Sequence, residues 1–380
     1  MIWQQLKTLR IATWLCVIGA LSSHTALNAQ PVPAEAVARP SLIEMQQRVA
    51  AASERSPRWQ GPVSGPAGQT GKSIAIISED LRNGGILGVA QGIHEAAKEL
   101  NWSVKVFDAR GTPAGRDKAA GDALRSRPDG LILVGVDAGE MHPRLTAFVK
   151  RETPIVGWHV GPKAGPVDDS PVAMNVSTDA LEVARITAMA AVSASAGRAG
   201  VVIFTDSNFG IAMAKAKAMA DVIRACADCT LLEIRDVPIS GSAALMPAVT
   251  RELLTRHGAR WTHALAINDI YFDYAVPELI KAALPNTRLS LLSAGDGSAS
   301  AFMRIQTGTF QTATVAEPLN LHGWQLVDEL NRLLARQPVS GHVDPPHLVT
   351  SSNIAFDGGA RFQYDPDNAY RDIYRQIWKR

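Results

Sequence analysis

The sequence predicts an α/β chain of two parallel-sheet lobes, and three observations carry that prediction. Short apolar runs alternate with amphipathic stretches of helical length from residue 72 to residue 334. The runs show no polar alternation, so their strands must be covered on both faces, as in a parallel sheet. The pattern breaks near residue 178 and begins again after Gly197, which implies two similar lobes with a cleft between them.

In chain order, residues 1–29 carry Lys7 and Arg10, an apolar core at 11–21 and a small-residue end at Ala29 before Gln30-Pro31. This is the pattern of a secretory signal peptide cut after Ala29, with a core too short to span a bilayer. Cys16 lacks the small residues expected before a lipid-modified cysteine, so a soluble exported protein is expected, and the resemblance described below implies the periplasm. Losing Lys7 and Arg10 takes the formal charge from +2 to 0. That balance argues against a nucleic-acid partner. About 350 residues remain, enough for two lobes of roughly 130 to 150 residues each.

Residues 30–71 are rich in Pro, Ala, Gly and Ser, with a candidate short helix at 42–52, and read as a flexible leader that adds little core. Strands are expected at 73–78, 103–108, 130–135, 154–158 and 172–176, with helices at 84–100, 114–126 and 139–151 between them. Ser177-Thr178-Asp179 then opens a long Ala-rich helix ending near Gly197. The second run has strands at 200–205, 231–234, 262–267, 289–295 and 310–316, and helices at 211–225, 243–257, 270–283 and 319–334. The last segment, 357–380, carries Phe362, Tyr364, Tyr370, Tyr374, Ile377 and Trp378, and is a candidate docking helix.

Polar residues gather where the strands end: Glu79-Asp80, Asn268-Asp269 and Asp296-Gly297. Carboxyl ends of strands are where open α/β sheets bind ligands. Asp269 also fits a plain helix N-cap, with Asn268 shaping the turn. Cys226 and Cys229 follow a helix and precede a strand, so a local disulfide is expected in an oxidising compartment, not a redox centre or a zinc site. No Gly-x-Gly-x-x-Gly follows the first strand, and neither a Gly-x-Ser-x-Gly elbow nor a P-loop is present. Asp168-Asp169 lies in a Pro- and Gly-rich loop. No catalytic site, metal or cofactor is expected.

Further motifs give a more specific expectation. Asn83-Gly-Gly, Gly92-Ile-His-Glu-Ala-Ala, Arg127-Pro-Asp-Gly, Thr153-Pro-Ile-Val, Asn175-Val-Ser-Thr-Asp179, Ala266-Ile-Asn-Asp269 and Ala294-Gly-Asp-Gly297 follow one another in that order. In order and spacing the chain resembles the type I periplasmic solute-binding proteins, in the ribose- and galactose-binding branch that serves ABC sugar transporters, over roughly residues 72–350. The resemblance implies two doubly wound lobes joined by a three-crossing hinge near 176–178, 316–318 and 340–348. The lobes are then 72–177 plus 318–342 and 178–317 plus 343–356, with 357–380 an extension.

The resemblance also implies a monomer that closes on a carbohydrate or polyol and delivers it to an ABC transporter permease. A sensory subunit docking on a chemoreceptor or histidine kinase is the alternative. Ligand positions carry over to Asn83, His159, Asp179, Lys215, Asn268, Asp296 and Glu317, because amides, carboxylates and cations make paired hydrogen bonds to neighbouring hydroxyls. Asp179 also fits a helix cap, and Lys215 a solvated helix lysine. Gly85 and Ile86 stand where ribose binders have phenylalanines, and Val160 where they have an Arg. Trp158, Phe209, Tyr271 and Phe272 are the candidates for the missing aromatic wall.

Overall fold

The computed structural model describes residues 40–55, 58–358 and 361–379. The expected signal peptide therefore lies outside the described residues. After helix α1 (Leu42–Ala52) come β1 (Ser73–Ser78), α2 (Gly84–Glu99), β2 (Ser103–Asp108), α3 (Pro113–Arg125), β3 (Gly130–Val134), α4 (Ala138–Val149), β4 (Ile155–Trp158), β5 (Gly165–Pro166) and β6 (Met174–Val176). The second run is α5 (Ala180–Ala194), β7 (Gly200–Thr205), α6 (Gly210–Ala225), β8 (Thr230–Asp236), α7 (Ser242–His257), β9 (His263–Ala266), α8 (Ile270–Lys281), β10 (Ser290–Ser293), α9 (Ala299–Thr307) and β11 (Gln311–Ala316). Last come α10 (Leu319–Leu334), β12 (His347–Thr350) and α11 (Tyr370–Trp378).

Among the described residues two six-stranded sheets form, in the orders β2-β1-β3-β4-β6-β5 and β8-β7-β9-β10-β11-β12. Each is parallel apart from one short antiparallel strand, β5 or β12, at its edge. The central β3 and β7 are buried along their whole length, as strands with helices on both faces must be. In each lobe the strand order reverses beside the first strand, at β1/β3 and at β7/β9. Ligands bind α/β sheets at such a switch point.

Helix α10 follows β11 of the second sheet but packs against α2 and β4 of the first. Glycines permit the close crossing. A Cβ at Gly92 would lie 2.6 Å from the Asn320 carbonyl oxygen, and one at Gly323 would lie 2.4 Å from the Gly92 backbone. The chain then returns to the second sheet as β12.

The described part of the leader differs from the sequence expectation, because it contributes core. Helix α1 starts with a capping box between Ser41 and Glu44, buries Met45 and packs on α5. Residues further on hold the first lobe: Trp102 donates to the Gln69 carbonyl at 2.5 Å, Arg332 to the Ser64 carbonyl at 2.7 Å, and Asn331 accepts from the Gln69 N–H at 2.8 Å. At the other terminus α11 buries Tyr370, Tyr374, Ile377 and Trp378, with Trp378 stacked on Trp324 of α10 at 5.5 Å. The Cys226 and Cys229 sulfurs are joined just after α6. No helix among the described residues is long and apolar enough to cross a membrane.

Candidate functional site

The polar strand ends of the two sheets face each other across a cavity of about 570 Å³, its opening included. The first lobe contributes Glu79, Asp80, Asn83, Ile86, Gly135, Trp158 and His159. The second contributes Phe209, Ile211, Ala212, Lys215, Ile239, Ile267, Asn268 and Asp296. The lobes meet closely at α2: a Cβ at Gly85 would fall 2.3 Å from Asp296 Oδ2, and one at Gly84 would fall 2.9 Å from the Ser298 Cβ. A phenylalanine at position 85 is therefore incompatible with this approach. The glycine brings an acid of one lobe against the helix of the other.

Asp296 is the centre of the polar group. Asn268 donates to its Oδ2 at 2.6 Å, and His159 Nδ1 stands 4.0 Å from its Oδ1. Burial pushes the Asp296 carboxyl up, opposed by the nearby charges of His159 and Lys215. Lys215 is buried on α6 and donates to the Ala294 carbonyl at 2.7 Å, so it belongs to the cleft floor and not to a solvated helix face. Asn83 caps α2 by accepting the Gly85 N–H at 2.9 Å. Among the described residues its amide NH₂ makes no hydrogen bond. This leaves it oriented as a donor for a ligand oxygen.

His159 links the cleft to the hinge. Its backbone is left-handed (φ +52°) and its ring lies on Trp158, 3.7 Å between centroids and 8° between planes. Its Nε2 meets Glu317 Oε1 at 2.7 Å. The same oxygen accepts from Thr178 at 3.1 Å, while Oε2 faces His322 Nδ1 at 3.2 Å and His322 Nε2 faces Asp344 Oδ2 at 3.5 Å. Thr178, Glu317 and Asp344 lie on three successive passages between the sheets, so one chain of groups ties all three.

Burial opposes every charge in that chain. It would raise the Glu317 carboxyl, but the charge and hydrogen bond of His159, and then His322, hold it well below the usual carboxylate range. It would lower His322, yet Asp344 and Glu317 hold that ring up at about 9. Asp344, between His322 and His342, is brought down to about 2 against the same burial.

Among the described residues His159, Asp296 and Glu317 are the one set of three histidine or carboxylate side chains with ligand atoms all within 4.8 Å of one another. Both ring nitrogens of His159 face carboxylates, and Nε2 is at hydrogen-bond distance from one.

Of the residues expected from the sequence, Asn83, Trp158, His159, Phe209, Lys215, Asn268 and Asp296 come together at the cavity, and Glu317 stands directly behind it. Asp179 does not join them. It is exposed and caps α5 by accepting the Glu182 N–H at 2.8 Å. Tyr271 and Phe272 are not in the wall either: both are wholly buried in the second lobe, where Tyr271 stacks on Phe204 at 5.8 Å and donates to the Val237 carbonyl at 2.8 Å. Helix phase turns these two side chains inward. Asp269 makes no side-chain cap. Its oxygens accept from Gly297 N (2.9 Å), Ser298 N (3.1 Å) and Gln311 Nε2 (2.8 Å), fixing the turn that carries Asp296.

Sequence reasoning did not select Glu79, Asp80, Ile211, Ile239 or Ile267, nor His322 and Asp344. The strand-end position of Glu79-Asp80 was a usable signal. Both acids are already committed, Glu79 to Arg116 at 2.7 and 2.8 Å and Asp80 to Arg82 at 2.5 Å.

The sequence profile of the periplasmic binding protein domain matches residues 74–338. No curated protein matches the chain. Solved structures similar to it include an ABC transporter solute-binding protein from Agrobacterium vitis bound with α-D-tagatopyranose (TM-score 0.68, 14% identity, 77% of this chain and 99% of that one). A second from the same organism has bound allitol (TM-score 0.64, 17% identity, 75% and 97%). The 5-methylthioribose transporter solute-binding protein from Thermotoga lettingae, in complex with 5-methylthioribose, gives a TM-score of 0.66 at 17% identity over 75% and 89%. At these identities the likeness is one of fold.

Proposed function

The chain belongs to the periplasmic binding protein domain family, and from that premise we propose that it captures a sugar or sugar-like small molecule between its lobes and delivers it to an ABC importer. The observation that carries this reading is the cluster of Asn83, His159, Lys215, Asn268 and Asp296 at facing strand ends, an amide, cation and carboxylate set suited to neighbouring hydroxyls. The ligands of the similar proteins, two sugars and a polyol, agree with that chemistry.

In this reading Asn83, Lys215, Asn268 and Asp296 bond the ligand, Trp158 backs His159, and Glu317 holds His159 from the hinge. The lobes, 72–177 plus 318–342 and 178–317 plus 343–356, close by hinge motion, and the closed form of a monomer docks on the permease. Residues 1–29 act as the export signal, and the Cys226–Cys229 bridge fits an oxidising periplasm.

The test is thermal melting of residues 30–380 against sugars, polyols, sugar acids and nucleosides. Ligand at about 100 times its Kd stabilises by about 2.7 kcal/mol, which is readily seen as a rise in Tm. The expected result is a shift with at least one carbohydrate or polyol. In Asp296→Ala that affinity should fall by about 1 to 3 kcal/mol, since hydroxyls lose a charged partner. Full affinity in Asp296→Ala would remove this residue from the site, and a panel without any carbohydrate or polyol shift would count against the reading.

A further inference from the structure

Three passages join the two lobes, from β6 to α5, from β11 to α10 and from α10 to β12. The segments before β1 and after β12 each add another. Helix α1 sits on the second lobe, where it packs on α5 and β12, buries Met45 in that lobe's core and pairs Arg48 with Glu182. By Trp59 the chain is on the first lobe: that indole lies 5.4 Å from the Tyr374 ring of α11, and Gly68 N donates to the Trp378 carbonyl at 2.9 Å. The C-terminal segment makes the same crossing. Ile354 and Tyr364 are buried with Phe302, Ile305 and Val349 of the second lobe, and Tyr364 stacks on His347 of β12 at 4.4 Å. By Tyr370 the chain has reached the first lobe's core, where that hydroxyl accepts from Asn320 at 2.7 Å and Arg371 and Arg375 pair with Glu95 and Glu99 of α2.

The two added crossings also touch each other and the hinge. Asn353 Nδ2 donates to the Ser53 carbonyl at 3.2 Å, Arg55 meets Asp367 at 3.4 Å, and the Trp59 ring lies 5.6 Å from that of His342 in the passage from α10 to β12. Opening a two-lobed cleft turns one lobe against the other, and a few residues in the connecting segments absorb the turn. Here two further packed segments would have to turn with them or leave their seats. The lobes are close in this arrangement: a Cβ on Gly111 of the first would fall 2.7 Å from the Ser240 Cβ of the second, much as at Gly85 and Asp296.

We propose that the segments before β1 and after β12 are two straps across the hinge, which hold the lobes close and narrow the range over which the cleft opens. Each strap is anchored at both ends by large apolar side chains, Met45 and Trp59 in the first and Tyr364 and Trp378 in the second. The proposal goes beyond the binding reading and needs no particular ligand.

The experiment measures lobe separation in ligand-free residues 30–380, by double electron–electron resonance between spin labels on Lys118→Cys of α3 and Lys217→Cys of α6, both exposed. Cys226 is bridged to Cys229 and Cys16 precedes residue 30, so no other thiol takes the label. Gly/Ser insertions of about ten residues after Arg55 and after Asp367, made together, slacken both straps without removing an anchor. The native chain should give one narrow distance distribution, and the doubly slackened chain a broader one with a longer mean. Circular dichroism checks that the variant folds; should it not, Trp59→Ala, which frees the first-lobe end of one strap, should give a smaller broadening. A native distribution that is already broad, or one left unchanged in whichever variant folds, overturns the proposal. Melting against sugars is a separate readout, so that result would leave the carbohydrate reading standing.

Discussion

Asp269 and Glu317 are both buried carboxylates just beyond strands of the second sheet, and they are satisfied in opposite ways. Asp269 draws on its own lobe: two backbone N–H groups, Gln311, and the Arg304 charge nearby. Burial still pushes its carboxyl up to about 6. Glu317 draws on the cleft through His159, on another crossing through Thr178 and on α10 through His322, and is held well below the usual carboxylate range. Mainly neutral donors leave Asp269 above the usual carboxylate range, whereas histidines on both sides hold Glu317 below it. Asp269 therefore fixes a loop inside one lobe, while Glu317 couples the lobes.

The comparison is broken most directly at Glu317. Glu317→Ala leaves His159 and His322 facing a buried gap, and removing one partner of a buried charged pair costs about 3 to 5 kcal/mol. Urea unfolding should show a loss of that size, and Glu317→Gln, which keeps a hydrogen-bond acceptor, a smaller one. A Glu317→Ala protein of wild-type stability would mean that the hinge chain contributes nothing.

The second effect is on pH. His322 faces Glu317 through Nδ1 and Asp344 through Nε2, and its ring is held up at about 9 against an ordinary 6.5. A raised histidine contributes stability that is complete below 6.5 and disappears as pH rises through 9, a change on the order of 3 kcal/mol. The proton on Nδ1 also decides between two neighbours. Charged, His322 donates to Glu317; neutral, it accepts from Trp158 Nε1, 3.1 Å away. The urea midpoint should fall between pH 6.5 and 9, and His322→Gln should flatten the decline. An unchanged slope in that variant would assign the decline to other groups.

Third is Asp269 itself. Asp269→Ala strands Gly297 N, Ser298 N and Gln311, for a stability loss of about 1 to 3 kcal/mol. Because the loosened turn carries Asp296, ligand affinity should also fall, though by less than in Asp296→Ala. Equal or greater loss of affinity would make Asp269 part of the site and erase the contrast with Glu317.

What the sequence disclosed follows the range of the interaction. Apolar runs ending in polar pairs are local, so the sheets and the positions of Asn268 and Asp296 were readable. So was helix α1, whose capping box Ser41-x-x-Glu44 is visible in the sequence even though the surrounding Pro and Ala suggested a mobile leader. Short edge strands such as β5 and β12 have too few residues to show a period. The chain His159–Glu317–His322–Asp344 joins segments far apart in sequence and has no local pattern at all. At Tyr271 the failure was one of phase: Ile270, Tyr271 and Phe272 are consecutive apolar residues, and only the packing on Phe204 and Val237 decides which way they point.

The smallest effect is expected at Asp179, and it tests whether position along the chain or placement in space defines the site. Asp179 follows Thr178, which bonds Glu317, and the family resemblance marks it as a ligand contact. Yet it is exposed, and its Oδ1 accepts the Glu182 N–H at the start of α5. Losing an N-cap costs about 1 kcal/mol of stability. Asp179→Ala should therefore lower the urea midpoint slightly and leave ligand affinity within about twofold, because no cleft group loses a partner. If affinity instead fell tenfold with stability intact, Asp179 would have to turn into the cleft when ligand binds, and the division between a capping acid and a binding acid would fail at that position.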